Sequence, residues 1–358
     1  MDTQVKILGR SLLVPCVHDL LKENPTMVPK RYVRDDQEPP MDTRSGLPKV
    51  PVINLGRLVS EDRAKLELKK LHHTCKYWGY FQLINHEVSL KLIEKVKKGT
   101  EEQFNMPMEE KKKFWQRDGE SDGFGQAFVL SEDQKLDWAD IFYMLTLPAS
   151  LRKHHLFPKL PLPFRDNLDA YSKEMQTLSI KLLYLMAKAL GMEAKDLEEM
   201  FEGGLQGMRM NYYPPCPQPE LVIGLNSHSD GDAITILLQV NEMEGLQIKK
   251  DEKWVPVKPL PGVCIINVGD IVEIITNGIY PSIEHRATVN AVKERISTAS
   301  FFSPRIDAEI GRTPSLITPE TPAMFRRITV AEYLNGYLSR ELNGKAYLDA
   351  MRVRHNEA

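Results

Sequence analysis

The chain has 358 residues, of which 42% are hydrophobic, and its 47 basic residues nearly balance its 49 acidic ones. This balance, without a long run of one sign, argues against a nucleic-acid-binding surface and against a polybasic membrane anchor. The four cysteines are widely spaced and form no CxxC pair, which argues against a disulfide framework or a thiolate zinc site and is typical of a reducing compartment. The sequence has no secretory signal pattern and no run long enough for a membrane span, so we expect a soluble, cytoplasmic protein.

The N-terminal half is predicted to be mainly helical. Residues 1–48 are polar and dotted with prolines, which predicts an irregular arm with a short amphipathic piece near HDLLKE that partly packs on the body. A strand at KVPVINL precedes a helix that ends at Gly79, and a strand at YFQLINH precedes a helix interrupted near Pro107. A long amphipathic helix then ends at Gly191, since glycine readily takes the left-handed conformation that ends a helix.

After about residue 205 the pattern changes to short strands that turn residues separate at intervals of roughly ten residues. The predicted strands are GMRMNYY, AITILLQV, GLQIKK, KWVPVKP, CIINVGD, VEIITNG, SIEHRATVN and RISTASFFS. This spacing predicts an antiparallel sandwich or barrel of the jelly-roll kind. From Thr329 the chain is predicted to be helical again. The expected fold is therefore α+β with a mainly β core, a double-stranded β-helix between an N-terminal helical region and a C-terminal helix.

The stretch GLNSHSDGDAITILLQV places a histidine and two acids directly ahead of a predicted buried strand. Burying such groups costs several kcal/mol unless something pairs with them. There are two possible explanations for the histidine and the two acids: a polar turn exposed to water, or a metal site. Residues two apart in a strand face the same side, so His228 and Asp230 could reach one ion. A single H-x-D pair is too frequent by chance to decide between the two explanations.

Further predicted strands favour the metal site. His285 lies in the middle of an apolar alternation, although a core histidine with a satisfied hydrogen bond explains it as well. Arg295 and Ser297 lie two apart on one face of the next strand, with Phe301 further along that face. An exposed edge strand is the alternative. A buried arginine beside a hydroxyl instead suits the bidentate capture of a carboxylate.

Another pair two residues apart, Asn211 and Tyr213, leads into a proline run and could also mark a structural turn. The interpretation rests on the whole set. Two histidines and one carboxylate, with half of the coordination sphere open, form the facial triad of non-haem Fe(II) oxygenases. An arginine and a serine nearby would hold the distal carboxylate of a dicarboxylic co-substrate.

The chain resembles the plant 2-oxoglutarate- and Fe(II)-dependent dioxygenases over about residues 11–353. The H-x-D motif, a histidine 55 residues after the aspartate and an R-x-S motif that begins ten residues later make up the family's full signature. Within that family the chain is similar to the senescence-related-gene group, which includes alkaloid O-demethylases of poppy. Other landmarks are KYWGYFQLINH, FNMPMEEKKKFWQR, GFGQAFVLSEDQKLDWAD, MRMNYYPPCPQPELVIGLNSHSD, EGLQIKKDEKWVPVKPLPG and NVGDIVEIITNGIYPSIEHRATVN.

The resemblance implies a role for each of these residues. The catalytic metal ligands it implies are His228, Asp230 and His285. The co-substrate residues it implies are Arg295, Ser297, Asn211 and Tyr213. Phe301 would flank the organic substrate. Further candidate walls, for each of which packing in the core is the favoured explanation, are Phe124, Phe128, Ile141, Tyr143 and Leu238. Three positions depart from the family pattern without being expected ligands: Asn54, Glu87 and Pro281.

The resemblance also implies a reaction. The cofactors are Fe(II) and 2-oxoglutarate, with ascorbate as reductant, and O2 oxidises a small hydrophobic, aromatic plant metabolite while succinate and CO2 are released. Hydroxylation, O-demethylation and desaturation all remain open, because the outcome depends on which carbon faces the iron. Two alternatives are a non-oxidative condensation or isomerisation on the same fold and a silent ligand-binding module. We expect a monomer without nucleic-acid or membrane partners.

The expected domain organisation has three parts. Residues 1–204 form a supporting N-terminal region of arm, strands and helices. Residues 205–305 form the jelly-roll core, and residues 306–358 form a helical closing segment.

Overall fold

The computed structural model describes residues 11–22, 25–35, 48–117, 120–193, 195–311, 313–316 and 318–353. Parts of the predicted arm (1–10, 23–24 and 36–47) and the end of the closing segment (354–358) lie outside the described residues. Within the described part of the chain, none of the helices combines the length and the apolar character that crossing a membrane requires.

The helices lie mainly in the N-terminal half and near the C-terminal end. They are α1 (Val17–Lys22), α2 (Leu55–Leu58), α3 (Ala64–Tyr77), α4 (Leu90–Asn105), α5 (Met108–Lys111), α6 (Phe164–Leu190), α7 (Lys195–Phe201), α8 (Asp270–Ile275), α9 (Val330–Leu338) and α10 (Ala346–Asp349). The predicted ends are confirmed at two glycines in the left-handed conformation, because Gly79 has a φ of 60° and Gly191 a φ of 75°. The predicted break near Pro107 is confirmed as the junction of α4 and α5.

Most of the strands follow residue 205, as predicted. They are β1 (Val52–Asn54), β2 (Tyr80–Ile84), β3 (Gly123–Gly125), β4 (Asp140–Leu147), β5 (Leu205–Tyr213), β6 (Leu225–His228), β7 (Ile234–Gln239), β8 (Leu246–Lys250), β9 (Lys253–Pro256), β10 (Cys264–Val268), β11 (His285–Ala287), β12 (Arg295–Ser303), β13 (Glu309–Ile310) and β14 (Ile328–Thr329).

These strands build two larger sheets and a short pair. The larger sheet has the order β1-β2-β10-β7-β12-β5-β4-β3, and the smaller sheet has the order β6-β11-β8-β9. Strands β1 and β2 pair in parallel, whereas the other pairs are antiparallel. The short pair joins β13 to β14. This is the predicted α+β jelly roll.

The two faces of the larger sheet have different neighbours, because successive side chains of a strand point to opposite faces. Leu237 and Ala299 share a buried cluster with Ile248 of the smaller sheet, so their face lines the interior of the jelly roll. Ile236 and Phe302 belong to the cluster that contains the apolar residues of α3, α4 and α6. The helices therefore cover the outer face, and the inner face is left to build a site.

The segment VEIITNG is not the strand that its β-branched residues predict. It belongs largely to α8, which follows Gly269 and carries Asp270 and Glu273 in its first turn. Each residue of this helix is buried. A helix that is buried all round has no polar face, so its apolar run could not be distinguished from a strand by periodicity, and the prediction was wrong.

Strand β4 was also missed, because the N-terminal half was expected to be mainly helical. Its side chains are largely buried on both faces, so the sequence shows no polar alternation. It pairs with β5 and places Tyr143 opposite Arg209. The strand also holds the arm, because the backbone N–H groups of Val17 and His18 donate to the Asp140 carboxylate at 2.8 and 3.0 Å. The described part of the arm thus packs on the body, as predicted.

Two of the three departures from the family pattern, Asn54 and Glu87, have local structural explanations. The side chain of Asn54 accepts a hydrogen bond at the start of α2. Glu87 has a φ of 66°, so it adopts the left-handed conformation that glycine favours. Its carboxylate lies 2.6 Å from Nζ of Lys181. Pro281 lies in the loop between α8 and β11.

Candidate active site

Three donor side chains converge where β6 meets β11. His228 is the last residue of β6, and it lies opposite His285, the first residue of β11. Asp230 follows in the loop after β6, and its Oδ1 lies 3.6 Å from Nε2 of each histidine. One ligand atom from each of the three buried side chains lies within 4.8 Å of the others. This spacing suits three bonds to a single metal ion.

Both imidazoles are oriented by backbone carbonyls. Nδ1 of His228 donates to the carbonyl of Asn226 at 2.7 Å, and Nδ1 of His285 donates to that of Ile283 at 3.2 Å. A carbonyl oxygen only accepts, so Nδ1 carries a proton in each ring, and each Nε2 is left to face Asp230. Nε2 of His228 is buried and has no hydrogen-bond partner among the described residues. Its lone pair is therefore directed into the cluster.

The two oxygens of Asp230 have different surroundings. Its Oδ2 accepts hydrogen bonds from Oγ1 of Thr235 at 2.7 Å and from Nδ2 of Asn267 at 2.9 Å. Oδ1 is thereby left to face the two imidazoles. Burial acts to raise the pKa of the Asp230 carboxyl, but the neighbouring His285 and His228 and the two hydrogen bonds outweigh it, and the pKa lies below its ordinary value.

Charge also favours a cation at this cluster. Burial, together with the neighbouring His285, lowers the pKa of His228, so its imidazole is neutral. The short distance between His228 and Asp230 is therefore the approach of a neutral imidazole to a carboxylate rather than an ion pair. Two imidazoles and one carboxylate are the donor set of a facial iron site, and a buried lone pair without a partner is what a metal would satisfy. The residues fit Fe(II).

The first of two cavities joins this cluster to β5 and β12. The two strands are paired so that Arg295 lies opposite Tyr213 and Ser297 lies opposite Asn211. All four side chains line a small cavity together with Asp230 and His285. Nδ2 of Asn211 donates to Oγ of Ser297 at 3.2 Å. The structure thus brings together the four residues that the sequence places at the co-substrate.

Arg295 supplies a buried cation to the wall of this cavity. It is 2% exposed, so its charge is removed from water. One guanidinium nitrogen donates to Oε1 of Gln239 at 2.9 Å, and the guanidinium carbon lies 5.2 Å from the Tyr213 ring centroid. Its Nε has no hydrogen-bond partner among the described residues. A buried cation with a spare donor is suited to a carboxylate.

The second cavity also borders Asp230 and encloses about 120 Å³. Phe128, Tyr143 and Phe301 line it, so three of the candidate walls are brought together. Phe124 and Leu238 instead belong to the cluster packed under the helices, in agreement with the favoured explanation that they are core residues. They lie on the opposite face of their strands. Ile141, the remaining candidate, is buried on β4 and lines neither cavity.

Other lining residues were missed in the sequence. Arg209 lies two residues before Asn211, so the same alternation that selected Asn211 could have found it. Leu334, Tyr337 and Leu338 come from one face of α9, and their spacing of three and four residues is typical of a packed helix face. Oη of Tyr337 donates to the carbonyl of Ser229 at 2.7 Å, which ties α9 to the loop of Asp230.

Asp230 does not share a strand with His228, as the spacing argument assumed. The strand ends at His228, and the loop that follows returns Asp230 to the cluster. The other acid of the loop, Asp232, lies outside the cluster and is 3.0 and 3.2 Å from Oγ1 of Thr235. The spacing argument therefore selected Asp230, but it assumed a shared strand face. In the structure a loop, and not a strand, brings Asp230 to the histidines.

Comparisons with known proteins agree with this geometry. Residues 205–304 match the model of the 2OG-Fe(II) oxygenase superfamily, and residues 50–160 match the model described as the non-haem dioxygenase in morphine synthesis N-terminal. The chain is 53% identical to oxoglutarate-dependent flavonoid 7-O-demethylase 1 of Ocimum basilicum, over 98% of this chain and 94% of that protein. It is 51% identical to codeine O-demethylase of Papaver somniferum, over 99% of this chain and 100% of that protein.

Solved structures agree as well. The crystal structure of JOX2 in complex with 2OG, Fe and JA superposes with a TM-score of 0.88 at 30% identity, covering 95% of this chain and 98% of that one. The chain belongs to the 2OG-Fe(II) oxygenase superfamily. It is an oxidoreductase whose cofactor is Fe(II) and whose co-substrate is 2-oxoglutarate, and its substrates are small molecules.

Proposed function

We propose that His228, Asp230 and His285 hold the iron, and that the chain oxidises a ring-containing plant specialised metabolite. The bound metal supplies the activation of O2, coupled to decarboxylation of 2-oxoglutarate into succinate and CO2. The observation that carries the proposal is the convergence of three buried donor atoms at the junction of two cavities. One cavity suits a dicarboxylate and the other suits an apolar ring.

Arg295 and Ser297 are proposed to bind the distal carboxylate of 2-oxoglutarate, with Asn211 and Tyr213 beside its carbon chain. The guanidinium provides a fixed pair of donors for a carboxylate, and the Ser297 hydroxyl adds one more. Both residues are buried, so these hydrogen bonds form away from competing water. The distal carboxylate is then held at the end of the cavity opposite the triad.

The organic substrate is proposed to lie in the second cavity, against Phe301, Phe128 and Tyr143. Aromatic walls favour a flat ring system, because offset stacking adds about 0.5–1.5 kcal/mol beyond the burial of area. The α9 side chains Leu334 and Tyr337 cover the cavity and exclude water from the reacting carbon. The relatives named as O-demethylases of flavonoid and alkaloid compounds support removal of an O-methyl group as the outcome.

The three predicted parts of the chain are proposed to act as one catalytic unit. Strand β4 of the region 1–204 supplies Tyr143, the core 205–305 supplies the triad, and α9 of the segment 306–358 covers the cavity. The triad and the lining of both cavities come from one chain, so a second copy is not needed to complete them, and the monomer stays a prediction.

The experiment is a single turnover with a panel of methoxylated flavonoids, coumarins and alkaloids. The protein is loaded with Fe(II) and 2-oxoglutarate without oxygen, mixed with one compound, and then exposed to O2 while succinate and substrate mass are followed. Loss of one CH2 unit with formaldehyde release indicates O-demethylation. A gain of one oxygen indicates hydroxylation, and a loss of two hydrogens indicates desaturation.

Two results would contradict the proposal. If a product forms before O2 is admitted, the reaction is a non-oxidative condensation or isomerisation. If a small aliphatic acid couples to succinate release while none of the ring compounds does, the substrate class is wrong although the iron site stands. Ascorbate is expected to increase the number of turnovers rather than the yield of the first one.

A further inference from the structure

A buried serine of the N-terminal arm holds the loop that carries Phe128. Ser11 is 7% exposed, and its Oγ donates to the carbonyl of Gln126 at 2.6 Å and accepts the backbone N–H of Val129 at 3.2 Å. The next residue of the arm, Leu12, donates its backbone N–H to the carbonyl of Val129 at 2.7 Å. The chain on both sides of Phe128 is therefore joined to the arm, although 115 residues separate Ser11 from Gln126.

Phe128 has a backbone conformation that needs this support. Its φ is 65°, in the left-handed region that a bulky side chain rarely adopts. Such a conformation costs free energy and persists only where the surrounding structure holds it. A further support is Gln134, whose Nε2 donates to the carbonyl of Phe128 and whose Oε1 accepts the N–H of Leu130, each at 2.7 Å. Ser11, Leu12 and Gln134 together fix the backbone around Phe128.

Phe128 borders two cavities of different character. Together with Ala127 it lines the second cavity, and both residues also line a third cavity of about 150 Å³. The ring of Phe128 packs edge-on against Tyr337 of α9, with 5.7 Å between the ring centroids. The lining of the third cavity includes two basic and two acidic side chains: Arg34, Lys135, Asp137 and Glu341. Because the two cavities share Phe128, a displacement of its ring would join the apolar cavity to the polar one.

We propose that Ser11 is a positioning residue for substrate selectivity. By holding Phe128, the arm closes the substrate cavity toward the third cavity and limits the length of the ring system that fits. The proposal rests on the proposed function, because it takes the organic substrate to lie against Phe128. A short ring system binds in the closed cavity, whereas a longer one needs the space beyond the Phe128 ring. The N-terminal arm thereby takes part in the choice of substrate.

The test uses two probes with the same methoxylated end: 2-methoxynaphthalene and the longer 2-methoxy-6-phenylnaphthalene. Each probe is titrated by its fluorescence into protein loaded with Fe(II) and 2-oxoglutarate without oxygen, and the wild type is expected to bind the short probe more tightly. Ser11→Ala removes the hydroxyl that bridges Gln126 and Val129, and loss of such a buried bridge lowers the population of the held conformation about tenfold. The short probe should weaken by that factor, while the affinities for the long probe and for 2-oxoglutarate change less than about twofold.

Three further variants separate this role from a general loss of stability. Ser11→Thr keeps the hydroxyl and is expected to restore the ratio of the two affinities. Ser60→Ala is the matched control, because Oγ of Ser60 also donates to a carbonyl, that of Arg57 at 3.0 Å, and accepts an N–H, that of Arg63 at 3.2 Å, in a surface loop between α2 and α3. It should leave the ratio unchanged. In a Phe128→Ala background, Ser11→Ala should change the ratio by less than about twofold, because the ring through which Ser11 acts is absent.

An unchanged ratio in Ser11→Ala, or an equal change with and without the Phe128 ring, would overturn the proposal. So would undetectable binding of both probes to the wild type, or tighter binding of the long probe to it. A purely structural role would lower the unfolding temperature and leave the ratio unchanged. Failure of the proposed function itself would appear separately, as absence of succinate from the panel of ring compounds once O2 is admitted.

Discussion

Asp230 and Asp232 are two acids of one loop with different surroundings. Asp230 has one oxygen held by Thr235 and Asn267 and the other free to face His228 and His285. We predict that Asp230→Ala lowers the Fe(II) affinity by about two orders of magnitude or more, because a charged ligand is removed, while Asp232→Ala lowers it by less than about tenfold. Calorimetric titration of Fe(II) into each variant without oxygen measures the two affinities. Stronger damage in Asp232→Ala would mean that the ligand had been assigned to the wrong acid.

Asn267 acts on the metal through Asp230. Its amide donates to Oδ2 at 2.9 Å and so keeps Oδ1 directed at the imidazoles. Loss of such an orienting hydrogen bond costs about 10–100-fold in metal affinity, and we predict this range for Asn267→Ala. Asn241→Ala is the control, because that side chain binds the carbonyl of Glu294, outside the cluster. Equal metal affinity in the two variants would contradict the positioning role.

Arg295 and Ser297 contribute unequally to the binding of the co-substrate. Arg295→Met is predicted to weaken 2-oxoglutarate about 100-fold, because a charge-assisted contact is worth a few kcal/mol when one partner is removed. Ser297→Ala should cost about 1 kcal/mol, which is roughly fivefold. Calorimetric titration of 2-oxoglutarate into the metal-loaded protein measures both values. Unchanged affinity in both variants would place the carboxylate elsewhere.

Among the elements, α8 and α10 are joined by a buried acid. Glu273 of α8 is 2% exposed, and its carboxylate lies 2.5 Å from Nζ of Lys345 and 3.0 Å from a guanidinium nitrogen of Arg352. It also accepts the backbone N–H of Ser282 at 2.7 Å. These contacts connect the closing segment, which also contains α9, to the core.

We predict that Glu273→Gln lowers the free energy of unfolding by about 1–3 kcal/mol, because two cations lose a buried partner while they retain some access to water. The control is Glu309→Gln, whose carboxylate is 3.9 Å from Arg327 with both side chains more than half exposed. An exposed pair of this kind contributes about 0–1 kcal/mol. Urea denaturation measures the free energy of unfolding of both variants. Equal decreases in the two would show that Glu273 does not hold the closing segment to the core.

For the molecule as a whole, the stability of the fold is coupled to its ligands. The triad unites β6, β11 and the loop between β6 and β7, and the co-substrate cavity adds β5 and β12. A ligand that binds only the folded state stabilises it by about 2.7 kcal/mol at 100 times its Kd. We predict that Fe(II) and 2-oxoglutarate together raise the unfolding temperature, and that a chelator reverses the rise.

The measurement is anaerobic thermal unfolding with Fe(II), with 2-oxoglutarate, and with both. His285→Ala should lose the rise caused by the metal and keep a similar unfolding temperature without ligands. If its metal-dependent rise equals that of the wild type, His285 is not a ligand.

The inward-facing pairs could be predicted from the sequence because they depend on local geometry. The strand repeat places Arg295 with Ser297 and Asn211 with Tyr213 on one face, whatever the rest of the fold does. The ends of α3 and α6 are equally local, since Gly79 and Gly191 adopt the left-handed conformation. The jelly roll followed from the series of short strands after residue 205.

Other features depend on contacts between distant segments. Strand β4 and helix α8 are buried on nearly all sides, so their apolar residues carry no period that separates strand from helix. The choice of Asp230 over Asp232 depends on Asn267, which lies 37 residues away in the chain. The position of Arg209 in the lining of both cavities depends on how β5 meets the loop of Asp230 and α9. The sequence by itself determined which side chains share a face, because that follows from the backbone repeat. Only the tertiary structure decided which faces meet, because that depends on how the sheets and helices bury one another.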